Sequence, residues 1–198
     1  MRVAGLPMPL RWLRNPRRWS VAEGAALAIE AGARTDWFID PRGTAEPKLD
    51  APTLVGDVTG DFLLSARVTV DFAATYDAGV LVLYANEDLW AKLCFEYSPQ
   101  HEPMVVSVVT KDLSDDCNSF VVEGESVWLR IARIGAAFAM HASTDGSSWS
   151  FVRHFSLGAI DELSVGFAAQ SPTGQGCAVT FDHVGFEAVG LADLRSGV

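Results

Sequence analysis

Cysteine is scarce in this chain, and positive charge is in short supply. Three cysteines, Cys94, Cys117 and Cys177, stand far apart in 198 residues. Their odd number and wide spacing exclude both the paired pattern of a zinc site and a fully bridged disulfide framework, so free thiols are expected. Lysine and arginine number 15 against 25 aspartates and glutamates, a formal net charge of −10. That balance argues against a nucleic-acid partner, because such binding relies on clustered cations that neutralise phosphates. The local exception, Arg2, Arg11, Arg14, Arg17 and Arg18, reads as the solvated flanks of a first strand. No apolar run approaches the roughly 18 residues of a membrane span, and no secretory apolar region precedes Arg11, so no membrane partner and a cytoplasmic location are expected. Metal motifs are missing too. His101, His141, His154 and His183 show no H-x-x-H or H-E-x-x-H spacing, and Asp112, Asp115 and Asp116 do not follow a calcium-loop pattern. Gly174 and Gly176 precede no helix that would cradle a phosphate. No metal and no cofactor is expected.

Sustained helical periodicity is also absent. Pro7, Pro9 and Pro16 break any helix near the start, where Trp12 and Trp19 stand around an Asn15-Pro16 turn signal and the apolar run Leu27–Ala31 follows, so an edge strand and a hairpin fit this region better. The Ala-rich run from Ala22 to Ala33 is bracketed by Gly24 and Gly32, each costing a helix about 1 kcal/mol against alanine. What recurs instead is alternation. Leu64, Ala66, Val68, Val70 and Phe72 interleave with Ser65, Arg67, Thr69 and Asp71, the half-buried pattern of an antiparallel sheet. Further strand-like runs are Met104–Thr110, Val127–Ile134, Ala136–Ser143, Phe151–Phe155, Leu163–Gln170 and Ala178–Phe186. Thr35–Thr59 and the acidic segment around Asp112 to Asp116 read as loops, and Asp145-Gly146 as a type I′ turn. With 49% hydrophobic residues, the chain can fill one large core. Eleven or twelve short strands predict an all-β jelly-roll sandwich of two antiparallel sheets, a single domain over residues 1–198.

The stretch from Ala78 to Tyr97, AGVLVLYANEDLWAKLCFEY, predicts two central strands joined at Asn86-Glu87-Asp88. In its second arm Ala91, Leu93, Phe95 and Tyr97 share one parity, and Trp90, Lys92, Cys94 and Glu96 the other. If the first set packs on the core, Trp90, Lys92 and Glu96 stand on an opposite, polar face. Lys92 and Glu96 are then roughly 13 Å apart at about 3.3 Å per residue, so each needs a partner from a neighbouring strand. Arg130 is the expected partner of Glu96, with His141 beside it. Tyr84, Trp90, Lys92, Glu96, Arg130 and His141 together offer the mixture of aromatic faces and charges that a sugar site uses. They are therefore the candidate ligand-binding set of a non-catalytic binding module for a carbohydrate. Two alternatives stand beside it: a regulatory domain that binds a protein, and a glycoside hydrolase with Glu96 as one catalytic carboxylate and Asp77 or Asp115 as the second.

Read together, several segments carry a resemblance. They are WLRNP at 12–16, TDWF at 35–38, GDF at 60–62, YDAGVLV and WAKLCFEY within 76–97, VVT, LSDD, WLRIAR, STDGSSW, and VGFAAQSPTGQG with FDHVGF. In order and spacing this resembles the concanavalin A-like family of unknown function that includes the fungal regulation-of-enolase protein. The resemblance implies a curved jelly roll related in shape to lectins and glucanases, with the polar residues on its concave face. One position departs from it. The family tends to carry a tryptophan after the Ser-Asp of the middle loop, where this chain has Asp116 and Cys117 after Ser114-Asp115, which puts an aromatic platform there in doubt.

Overall fold

The computed structural model describes residues 1–22 and 26–197. In chain order the strands are β1 (Arg11–Arg14), β2 (Trp19–Val21), β3 (Leu27–Glu30), β4 (Trp37–Phe38), β5 (Lys48–Leu49), β6 (Thr53–Asp57), β7 (Phe62–Val70) and β8 (Ala78–Asn86). They continue as β9 (Leu89–Tyr97), β10 (Pro103–Lys111), β11 (Leu113–Val121), β12 (Ser126–Ile134), β13 (Ala137–Ser143), β14 (Ser150–Phe155), β15 (Ser164–Gln170) and β16 (Ala178–Glu187). A front sheet runs β1-β6-β15-β8-β9-β10-β11, a back sheet runs β14-β13-β12-β7-β16-β3-β2, and β4 and β5 pair apart from both. Every ladder is antiparallel. The result is a concanavalin A-like jelly-roll sandwich. Among the described residues no helix is long and apolar enough to cross a membrane.

Alternation decides which side chains meet between the sheets. From the front sheet come Leu81, Leu83, Ala91, Leu93, Phe95, Val105 and Phe167; from the back sheet come Leu64, Ala66, Val68, Leu129, Ile131 and Phe181, all within one buried cluster. The Phe167 and Phe181 rings meet at 4.9 Å across the interface. Each of the leucine, valine, isoleucine and phenylalanine side chains contributes about 1.5–3 kcal/mol when buried, so this layer fixes the register of β9. A slip of one residue would send Lys92 and Glu96 into the core.

Four local expectations are corrected. The Thr35–Thr59 segment holds β6, an internal strand of the front sheet between β1 and β15. The acidic segment is β11, the front sheet's last strand, whose aspartates suit an exposed edge. Trp12 and Trp19 do not share a hairpin: β1 joins the front sheet and β2 pairs with β3 in the back sheet, so the chain crosses between sheets at Asn15-Pro16 while the two indoles remain 5.9 Å apart. Asp145-Gly146 does not sit in a two-residue turn. The Asp145 carboxylate accepts the Ser147 and Ser148 N–H groups at 2.7 Å each, building a longer loop between β13 and β14. The Asn86 side chain caps Asp88 in the tighter β8–β9 turn that was expected. Gly24, read as one bracket of the Ala-rich run, lies outside the described residues. Cys94 and Cys177 are buried and Cys117 is exposed, all as free thiols.

Candidate functional site

The outer face of the front sheet is built in rows by strand register. One row carries Gly166, Val82, Lys92, Val108 and Asp116; the next but one carries Gln170, Ala78, Glu96 and Met104. Between them Val80, Cys94, Val106 and Ala168 make an apolar strip. Parity therefore does place Trp90, Lys92 and Glu96 on one face, away from the inter-sheet core.

Half of that face is covered. Residues 36–51 fold back over it, held by Asp36 and Asp50, by the Trp37 indole donating to the Ala51 carbonyl at 3.1 Å, and by Ile39 exchanging hydrogen bonds with Ser114. Trp37 lies edge-on to both Trp90 and Tyr84, each 5.7 Å away. Trp90 is 0% exposed and its indole N–H donates to the Glu87 carbonyl. It is a covered packing residue rather than an open platform, and half-buried Tyr84 leans on the same cluster.

The uncovered half is a cavity of about 260 Å³ lined by Asp36, Phe38, Tyr76, Lys92, Glu96, Val108, Asp116, Gln170 and Pro172. Lys92, only 3% exposed, extends its ammonium to Asp36 at 3.2 Å and to the Gln170 carbonyl oxygen at 2.9 Å. Burial works against that charge, but the attraction of Asp36 and the neighbouring acids prevails and leaves the lysine's pKa raised. Glu96 has the opposite balance. Burial pushes its carboxyl up to about 8, with Lys92 pulling down and Asp116 and Asp36 pushing further up. Burial raises Asp116 as well, against the pull of Lys92. One ammonium thus faces three carboxyls, and near neutrality the site holds a proton on Glu96.

Tyr76 reaches this cavity from the β7–β8 loop with a left-handed φ of +70°. The loop is tied by Asp77, whose carboxylate accepts the Ala73 and Ala74 N–H groups and the Ser171 hydroxyl. Asp77 is therefore a loop anchor and not a second acid for Glu96. Asp115 is not one either, since it bridges the sheets to Arg153 at 2.9 Å.

Arg130 and His141 are not on this face. Leu129 and Ile131 point into the core from β12, so Arg130 turns to the outside of the back sheet, where His141 is its register partner on β13. The expected Glu96–Arg130 pair is excluded by the full thickness of the sandwich. Parity within each strand is right in both cases; what it omits is which sheet a strand joins. Asp36, Phe38, Tyr76, Val108, Asp116, Gln170 and Pro172 are the cavity residues that residue-level reasoning missed. Periodicity gave no signal for Asp116, because β11 is polar on both parities, with Ser114, Asp116 and Asn118 on one and Asp115, Cys117 and an exposed Leu113 on the other. At the position where the resemblance expects a tryptophan, Asp116 brings a carboxyl to the cavity rim.

With the geometry in place, comparison with known proteins supplies the family. A family described as protein of unknown function (DUF1349) matches residues 12–189. The chain belongs to DUF1349. No curated protein matches the sequence. Among solved structures, a functionally unknown protein from Saccharomyces cerevisiae has a TM-score of 0.83 and 23% identity, over 91% of this chain and 96% of that one. The GH43 BlXynB protein from Bacillus licheniformis has a TM-score of 0.75 and 15% identity over 91% of this chain, which spans only 37% of that protein. An alginate lyase from Klebsiella pneumoniae has a TM-score of 0.57 and 13% identity, over 88% of this chain and 85% of that one. At these identities the likeness to solved structures is one of fold. The DUF1349 sandwich is shared by proteins of different activities.

Proposed function

We propose that this DUF1349 protein is a non-catalytic binding module that takes a carbohydrate into the front-face cavity. The observation that carries this reading is the lining: Asp36, Lys92, Glu96, Asp116 and Gln170 face Phe38, Tyr76, Val108 and Pro172 across about 260 Å³. Sugars present hydroxyls around their rims and C–H faces above and below, so they suit a pocket with a few fixed polar groups and adjoining aromatic or apolar surface. The volume is just under the about 300 Å³ at which small-molecule pockets begin, which favours a single ring over a long chain segment. Fold neighbours named as a xylan β-1,4-xylosidase and an alginate lyase add support for this ligand class. The test is a glycan array followed by calorimetry on any hit. Binding of a mono- or oligosaccharide that is lost in Lys92→Met supports the proposal. A silent array together with a specific protein recovered by pull-down replaces it with the protein-interaction alternative.

One observation favours a second reading. Glu96, protonated near neutral pH, shares its cavity with Asp36 and Asp116, and a protonated acid beside a second carboxyl is the equipment of a glycoside hydrolase. Turnover of an aryl glycoside that disappears in Glu96→Gln would establish that reading.

A further inference from the structure

The back sheet carries a second polar site, and a later segment of the chain lies in it. Residues 191–197 cross the outer face of that sheet as a strap. Leu191 and Leu194 pack on Leu63, Ala132 and Ala139. The Leu194 carbonyl accepts a hydrogen bond from His141 Nε2 at 2.6 Å, and the Gly197 carbonyl accepts one from Arg130 Nη2 at 2.7 Å. Asp193 closes the turn by accepting the Arg195 N–H on its carboxylate and the Gly197 N–H on its carbonyl.

The strap answers this site only in part. Arg130 is 7% exposed and His141 0%, yet among the described residues Arg130 Nε and His141 Nδ1 have no hydrogen-bond partner. Buried polar atoms in folded proteins are nearly always paired; His141 Nδ1 is the bare acceptor of a ring that donates through Nε2, whereas the Arg130 Nε–H is a charged donor that calls for an acceptor. Among the described residues no carboxylate lies within ion-pair distance of Arg130. Its guanidinium instead sits 4.1 Å over the Trp149 ring. A carbonyl gives a guanidinium one bond and a dipole, whereas a carboxylate gives two parallel charge-assisted bonds and a full counter-charge. Anchoring a strap needs neither a buried guanidinium nor an indole laid against it.

We propose that Arg130, His141 and Trp149 form a carboxylate-binding site, separate from the front cavity, which residues 191–197 occupy in cis. The ligand class is a carboxylate attached to a flat apolar body. The Arg130 fork takes the carboxylate, His141 donates through Nε2, and Trp149 with Phe151, whose ring lies 6.0 Å from that of His141, flanks the body. The carbonyl oxygens of Leu194 and Gly197 mark where ligand oxygens sit once the strap lifts. Burial lowers the His141 pKa, so the imidazole serves as a neutral donor and the Arg130 guanidinium supplies the charge that meets the carboxylate, while Arg195 of the strap lies 5.2 Å over the Phe151 ring. Because the strap must leave first, the apparent affinity is reduced by the fraction of time the site is open.

Benzoate is the probe, with benzamide as its uncharged counterpart, titrated into the full chain while the Arg130 Nε–H resonance is followed by NMR. In Leu194→Ser, where the strap loses an apolar anchor, benzoate is expected to bind at least about tenfold more tightly than in the unaltered protein. It should shift the Nε–H signal, and benzamide should not bind. Adding Arg130→Gln to that background should abolish binding. Equal benzoate affinity with and without Leu194→Ser, equal binding of benzamide, or binding that survives Arg130→Gln would each overturn the proposal. If circular dichroism shows Leu194→Ser unfolded, Leu191→Ser loosens the same strap at its other anchor and the same comparison decides.

Discussion

Lys92 and Asp36, 56 residues apart in sequence, meet at 3.2 Å on the outer face of the front sheet, and their contact ties the covering segment to the central strand. The ammonium is almost fully buried, so removing it leaves Asp36 and Gln170 facing each other without a cation. Breaking such a pair costs about 3 kcal/mol, while replacing the side chain by an apolar one of similar volume costs much less. Lys92→Ala should therefore lower unfolding stability in urea by about 3 kcal/mol and Lys92→Met by less than half of that. In the double variant with Asp36→Asn, the loss should not exceed that of Lys92→Met alone.

Glu96 gives the stability of the protein a pH dependence of defined sign. Its folded-state pKa of about 8 lies above the ordinary value of 4.5, so between these values the folded chain binds a proton that the unfolded chain has released. Stability contributed by this group is complete below about pH 4 and is lost as pH rises towards 8. Glu96→Gln, which keeps the shape and removes the titration, should flatten the curve and make the variant more stable than the parent at pH 8.5, by up to about 5 kcal/mol. Thermal unfolding at pH 5 and 8.5 measures it; an unaltered slope in the variant would contradict the assignment.

Trp90→Ala should act on the fold before it acts on any ligand. The indole is closed over by Trp37, so truncation opens a cavity in a packed aromatic cluster and should cost about 3–5 kcal/mol. A loss below 1 kcal/mol would mean that Trp37 does not cover it in solution.

The sandwich and the parity of β9 were legible because alternation is a local property of the chain, printed in every strand that packs one face on the core. Sheet membership is not local. Whether Arg130 stands beside Glu96 or behind it depends on β12 pairing with β7 rather than β10, a choice set by the whole topology and invisible in WLRIAR. The covering segment was missed for a related reason. Trp37 and Asp36 sit among prolines and aspartates that read as loop, and nothing nearby says that this loop lies on Trp90 and Lys92. β11 was missed because an edge strand hides its alternation under polar residues on both faces.

Tyr76 joins backbone strain to the proposed binding site. Its φ of +70° places a bulky aromatic residue in the left-handed region, which costs an L-residue other than glycine about 1 kcal/mol or more. The surroundings hold it there: its N–H donates to the Tyr97 carbonyl at 2.7 Å, its own carbonyl accepts from Gln170, and Asp77 clamps the loop from beneath. A glycine meets the same backbone geometry without the steric penalty, although it also gains freedom in the unfolded chain. The exposed ring gives up little packing when removed. Tyr76→Gly should thus leave stability unchanged or raise it by up to about 0.5 kcal/mol, while stripping one wall from the front cavity and weakening sugar binding several-fold. Paired measurements of urea unfolding and calorimetric affinity test both halves. A variant that loses more than 1 kcal/mol of stability would show that the tyrosine is kept for the fold. One that binds the sugar as before would remove Tyr76 from the site.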